Sequence, residues 1–257
     1  MILVVCSAST MEYAKKFGDN LYKVDKPPTK SILDMRIRAN EIIAIGGGAV
    51  MDTAKILAAV SDVQRILCYP TTAAGAGFTS RAVYWDGTRK HSIRTPKPIT
   101  IVELAYSNNL PRTIVGNTEC DAISHALESL WSANSSFISR KLAYEALNNL
   151  CDRNRLIEAG NLAGMAIEIT GTNLIHGASY PLTGFYKISH GHAVGIMLPV
   201  ITKFMGTKIG FPARIVPEMD YDIKLLAEEA ITYEQIHTSI KNVTIHDMQR
   251  LYAEALA

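Results

Sequence analysis

The chain has 257 residues, is 48% hydrophobic and 19% charged, and carries a formal net charge of +2. That length and composition suit a folded globular protein of one large or two modest domains. With so little net charge no global field favours a polyanion, so nucleic acid is excluded as an expected partner, and no apolar stretch is long enough to cross a bilayer.

In chain order, residues 2–5 form an apolar run without a basic leader, which reads as a first strand and not as a signal peptide. Residues 41–45 and 65–69 are further strand candidates, and the Ala- and Met-rich stretch 49–60 between them favours a helix. The first hundred residues therefore predict a parallel α/β layer. Alternation across 81–94 around Asp86 and Gly87 predicts a β-hairpin with a type I′ turn. From about Asn117 the pattern turns helical, through 121–131 and 139–150, with no convincing strand afterwards. A domain boundary between residues 106 and 107 follows from this change of pattern alone. Cys6, Cys68, Cys120 and Cys151 are scattered, form no CxxC pair and read as reduced, buried thiols, for which the cytoplasm is the expected location.

Strand 41–45 runs straight into Gly46, Gly47 and Gly48 and then into a helix, an arrangement that presents free backbone N–H groups and a positive helix end to a phosphate. The spacing is neither GxGxxG nor GxxxxGK, and a plain tight turn competes with the phosphate reading. Asp52 and Lys55, on the first turns of that helix, read as helix-start and surface charge. After the next strand, small residues and the hydroxyls of Thr71 and Thr72 suit either cofactor contact or a generic loop.

Asp121 and His125 are four apart on a helical segment, so both project from one face and can reach one ion; carboxylate plus imidazole suits iron(II), zinc or a similar cation. The competing reading makes Thr118 and Asp121 a capping box and His125 an ordinary helix histidine. Further along, His176 and His190 are each followed by glycine within an apolar stretch, and together with the first pair they would close a small-ion site. A surface coincidence of histidines is the alternative.

Four segments in this order resemble the iron-containing (group III) alcohol dehydrogenase family, which is related to glycerol dehydrogenase and dehydroquinate synthase: IGGGAVMDTAK at 45–55, PTTA at 70–73, DAISHALE at 121–128, and the stretch 176–193 from HGASYPL through SHGHA. The resemblance implies a dehydroquinate synthase-like fold, with an N-terminal Rossmann-like dinucleotide-binding domain (1–106) and a helical metal-binding domain (107–257). It implies one divalent ion, Fe2+ or Zn2+, on Asp121, His125, His176 and His190, and NAD or NADP on Gly46, Gly47 and Gly48 with Asp52, Thr71, Thr72 and Lys90 alongside. The activity implied is reduction of a small aldehyde to its alcohol, the ion polarising the carbonyl while the nicotinamide delivers hydride. Within the family the stretches 179–183 and 190–194 resemble the branch that reduces phosphonoacetaldehyde; there Tyr180 would relay or orient a proton or simply pack, and His192 with nearby basic residues would hold an anionic head group or else face solvent. A homodimer or larger homo-oligomer is expected. Two alternatives stand beside this reading: a metal-dependent lyase or cyclase like dehydroquinate synthase, and a catalytically silent relative. The family's acid-containing stretch after PTTA is replaced by AGAGF at 74–78, and the chain is shorter than typical members.

Overall fold

The computed structural model describes residues 1–101, 110–150, 152, 155–208 and 215–257. The β-branched N-terminal run forms β1 (Ile2–Cys6), followed by the short helix α1 (Met11–Ala14), β2 (Leu21–Lys23), β3 (Glu41–Gly46), α2 (Gly48–Val60) and β4 (Arg65–Pro70). A hairpin of β5 (Arg81–Asp86) and β6 (Arg89–Arg94) comes next. Then β7 (Ile99–Thr100) completes a five-stranded parallel sheet ordered β2-β1-β3-β4-β7.

Successive side chains on a strand point to opposite faces. Leu3, Val5, Ile42 and Ala44 pack with Met51, Ile56 and Leu57 of α2, while Val4, Cys6, Ile43 and Ile45 pack with Ala14 and Phe17 on the other side. Both faces are covered, which is why these strands read as unbroken apolar runs. The strand order also fixes where a ligand can sit. From β1 the chain goes to β2 on one side and β3 on the other, and in open α/β sheets the crevice outside the carboxyl ends of such strands receives the ligand. The glycine turn after β3 lies there.

The hairpin forms where the alternation predicts it, but its loop is residues 87–88 and not 86–87. Asp86 still pairs with Arg89, and in this turn the positive φ (+61°) falls at Gly87, the first central position, as a type II′ turn requires.

Beyond residue 110 the described elements are helical: α3 (Arg112–Trp131), α4 (Phe137–Asn149), α5 (Leu156–Thr170), α6 (Leu174–Tyr186), α7 (His190–Phe204), α8 (Ile223–Ala230) and α9 (Ile245–Ala255). Their core is built on Leu127, Leu174, Ile175, Leu182, Met197, Leu198 and Tyr252. Helix α3 starts at Arg112, before the expected onset. Thr118 is therefore inside the helix, its hydroxyl donating back to the carbonyls of Ile114 and Val115 at 3.1 Å each, so it does not cap the helix with Asp121. Cys6, Cys68 and Cys120 are buried; Cys151 lies outside the described residues, as does the expected boundary at 106 and 107. No helix among the described residues is long and apolar enough to cross a membrane.

The loop after β4 and the hairpin both bring the sheet half against the helices. The loop after β4 lies against α5 so closely that a Cβ on Gly160 would come 2.0 Å from the Ala73 carbonyl oxygen, and one on Gly164 would come 2.5 Å from that of Gly75. Only side-chain-free residues permit this approach. This is the role the AGAGF segment takes in the fold. The hairpin docks through Arg89, 3.0 Å from Glu229, and through the Lys90 backbone N–H, which donates to the Tyr233 hydroxyl at 3.3 Å.

Candidate metal centre and cofactor cleft

Helical spacing puts Asp121, His125 and Glu128 on one buried stripe of α3. Helix α6 brings His176 to that stripe from its first turn, and α7 brings His190 as its first residue. Three imidazole Nε2 atoms converge on one carboxylate oxygen. Asp121 Oδ1 lies 3.2 Å from His176, 3.6 Å from His125 and 3.8 Å from His190. The His125 and His176 rings are stacked with centroids 4.7 Å apart. Ligand atoms of Asp121, His125 and His176 all lie within 4.8 Å of one another.

The donor chemistry of this cluster fits a cation. His176 Nδ1 is 2.5 Å from Glu128 Oε2, and a carboxylate can only accept, so the ring proton sits on Nδ1 and the Nε2 lone pair faces the lone pairs of Asp121. A positive charge between them relieves the repulsion. Burial disfavours charge on His176, yet Glu128 and Asp121 outweigh it and raise its pKa to about 9. Burial pushes His125 down to about 4 and His190 well below its ordinary value, leaving both rings neutral and able to donate lone pairs. Burial alone would raise Asp121, but His125 and the other two imidazoles hold it below the usual carboxylate range.

A cavity of about 440 Å3 opens over the cluster. Asp121, His125, His176, His190 and Tyr180 line one side, and Gly48, Asp52 and Lys90 line it from the α/β half. The structure thus brings together residues from all the sequence segments singled out above except the one at 70–73. Gly48 heads α2 with nothing within 4 Å of where a Cβ would stand, which leaves room for a ligand at the helix N-terminus. Thr71 and Thr72 stand behind this wall: the Thr71 N–H donates to the Gly46 carbonyl at 3.0 Å, and Thr72 packs against Gly47. The Lys90 ammonium lies 4.3 Å from the centre of the Tyr180 ring, and burial lowers its pKa to about 8. Burial raises that of the Tyr180 phenol, which stays protonated. His192 is not brought to this cavity; its Nε2 lies 2.7 Å from the Ile215 carbonyl oxygen.

Two residues have roles that the sequence pattern does not announce. Lys55 is fully buried rather than a surface charge, donating to the Ala76 carbonyl at 2.7 Å, to Thr79 Oγ1 at 3.1 Å and to the Arg81 carbonyl, with Asp52 at 3.8 Å. Glu128, inside the DAISHALE segment, grips His176; its seven-residue offset from Asp121 is the one signal that could have placed it on the same face.

A parallel sheet with a glycine turn at its switch point, facing a helical unit across a cavity with a cation-ready cluster, defines a two-part α/β and helical class of protein. Residues 30–103 match the family description "Iron-containing alcohol dehydrogenase", and residues 116–219 match "Fe-containing alcohol dehydrogenase family, C-terminal". The chain belongs to the iron-containing alcohol dehydrogenase family. It is 28% identical over 302 aligned positions to phosphonoacetaldehyde reductase of Streptomyces viridochromogenes, covering 85% of this chain and 76% of that one. It is 27% identical over 203 positions to lactaldehyde reductase of Escherichia coli K12, covering 65% of this chain and 53% of that one. The chain thus spans three quarters of one relative's length and about half of the other's. Its fold matches the crystal structure of sulfoacetaldehyde reductase from Bifidobacterium kashiwanohense with a TM-score of 0.82 at 18% identity, over 100% of this chain and 91% of that one.

Proposed function

We propose that this chain is a metal-dependent, NAD(P)H-linked reductase of small aldehydes, with Asp121, His125, His176 and His190 as the metal ligands. The observation that carries the reading is the convergence of three Nε2 atoms on Asp121 Oδ1 in the floor of a cavity whose opposite wall is the N-terminus of α2. In this reading residues 1–106 form the dinucleotide half and 107–257 the metal half. A bound divalent ion, iron or zinc, supplies Lewis-acid polarisation of the substrate carbonyl.

The chain's own residues do the remainder. Gly48 leaves the α2 N-terminus open to the pyrophosphate, with Gly46, Gly47, Thr71 and Thr72 shaping the turn behind it. Asp52 and Lys90 border the space in which nicotinamide and substrate meet. Tyr180 keeps the proton on its phenol oxygen and shapes the substrate side with Tyr233, whose ring centroid is 5.0 Å from its own. Two features support an aldehyde with an anionic head group: the first-named relative is a phosphonoacetaldehyde reductase, and the hairpin contributes Arg81, Lys90 and Arg94 to the cavity wall. NAD+ was bound in the sulfoacetaldehyde reductase crystal, which makes NADH the first cofactor to try. The buried thiols of Cys6 and Cys68 suit the reducing cytoplasm, where we place the protein.

The test is a panel of aldehydes that includes phosphonoacetaldehyde, given to metal-loaded protein with NADH and with NADPH. The expected result is oxidation of reduced cofactor in equal amount to alcohol formed, abolished in Asp121→Asn. Protein that binds metal and dinucleotide yet oxidises neither cofactor with any aldehyde sinks the reading, and turnover of a sugar phosphate without net cofactor oxidation replaces it with the lyase.

A further inference from the structure

A carboxylate with no exposed surface is costly unless its lone pairs are taken up, and Glu128 on α3 is 0% exposed. Its acceptors are used chiefly by one residue. Oε1 accepts the His176 backbone N–H at 2.9 Å and Oε2 faces His176 Nδ1 at 2.5 Å. The Glu128 carbonyl oxygen accepts from Asn173 Nδ2 at 2.9 Å, and the same Asn173 caps α6 by accepting the Leu174 N–H at 2.6 Å. His176 is therefore held at three levels: its helix start, its backbone donor and its ring. Its backbone N–H is one of the donors that a helix N-terminus leaves without an internal partner, so the carboxylate also sits favourably against the helix dipole.

The other two imidazoles of the cluster are held differently. His125 Nδ1 and His190 Nδ1 are buried with no hydrogen-bond partner among the described residues, so none of these sets their tautomers. His176 alone among the three has its far nitrogen bound to a carboxylate. We propose that Glu128 is a positioning residue of the metal centre: it confines the His176 ring proton to Nδ1, aims the bare Nε2 at the space beside Asp121, and makes His176 the ligand around which the cation seats. The proposal rests on the metal site proposed above, but not on the reaction assigned to it.

Glu128→Gln is the discriminating change because it preserves shape. With the amide oxygen accepting the His176 backbone N–H, the amide nitrogen faces Nδ1 and donates to it, which moves the ring proton to Nε2 and blocks the ligand atom. Metal affinity, read by competition with a chromophoric chelator, should weaken by about 10- to 100-fold. Imidazole nitrogen chemical shifts of 15N-histidine-labelled protein should show His176 protonated at Nδ1 alone in the unsubstituted, zinc-loaded chain and at Nε2 in Glu128→Gln. Unchanged metal affinity in a folded Glu128→Gln protein overturns the proposal. Should that variant not fold, the unsubstituted, zinc-loaded protein still decides: an Nε2-protonated His176 there overturns it, and an Nδ1-protonated one upholds it. Because neither readout involves an aldehyde, the positioning role can stand when the reductase assignment fails, and the reverse.

Discussion

Burying an ammonium group is unfavourable unless each of its donors meets an oxygen, and Lys55 satisfies that condition with the backbone carbonyls of Ala76, Thr79 and Arg81, which lead from β4 into β5. The side chain thereby fixes that stretch to α2, and Asp52 one turn earlier shares its charge. Replacing Lys55 by Met leaves those carbonyls without donors and Asp52 without its nearest cation. The expected loss is about 3–5 kcal/mol of unfolding free energy, measured as the shift in urea midpoint; a loss below about 1 kcal/mol contradicts this account. A lysine seven residues beyond the start of a helix looks the same in sequence whether it faces water or carbonyls, because the acceptors come from a separate segment. Glu128 was illegible for the same reason. Its partner is 48 positions away, and only the meeting of α3 with α6 shows that its carboxylate has an imidazole to hold.

Among elements, legibility followed length and propensity. The five- and six-residue strands β1, β3 and β4 announce themselves through unbroken apolar runs, whereas β2 and β7, of three and two residues, have no period to read. The first turns of α3 contain Thr113, Ile114, Val115 and Gly116, all weak helix formers, so its onset is set by packing and not by propensity. Glycine substitutions separate structure from binding. Gly160→Ala places a methyl 2.0 Å from the Ala73 carbonyl oxygen, so despite the roughly 1 kcal/mol that alanine adds to helix propensity it should destabilise by about 1–3 kcal/mol. Gly48→Ala meets nothing within 4 Å and should keep the melting temperature, yet its methyl stands where the pyrophosphate is proposed to lie. NADH affinity, followed by fluorescence titration, should fall roughly tenfold, about 1.4 kcal/mol. Equal binding by Gly48→Ala and the parent chain would remove the pyrophosphate from that helix end.

At the scale of the whole molecule, the ligand set is assembled from α3 and from the consecutive pair α6 and α7, which adjoin α3 in space but lie far from it along the chain. The DAISHALE pair is readable from helical periodicity alone; the meeting of His176 and His190 with it is a property of the packed helices, for which the sequence offered a resemblance and no geometry. Such a centre exists only in the folded chain, so whatever cation occupies it binds the native state and not the unfolded one. Linkage then sets the size of the effect: at a free metal concentration one hundred times the dissociation constant, stability rises by about 2.7 kcal/mol, which for a chain of this length corresponds to a melting-temperature rise of roughly 5–11 °C. Scanning calorimetry with and without added zinc should show that rise, a chelator should reverse it, and Asp121→Asn should melt at one temperature under both conditions. A rise of equal size in Asp121→Asn would mean that the ion binds elsewhere, because removing the one carboxylate on which three imidazoles converge must cost the site most of its charge.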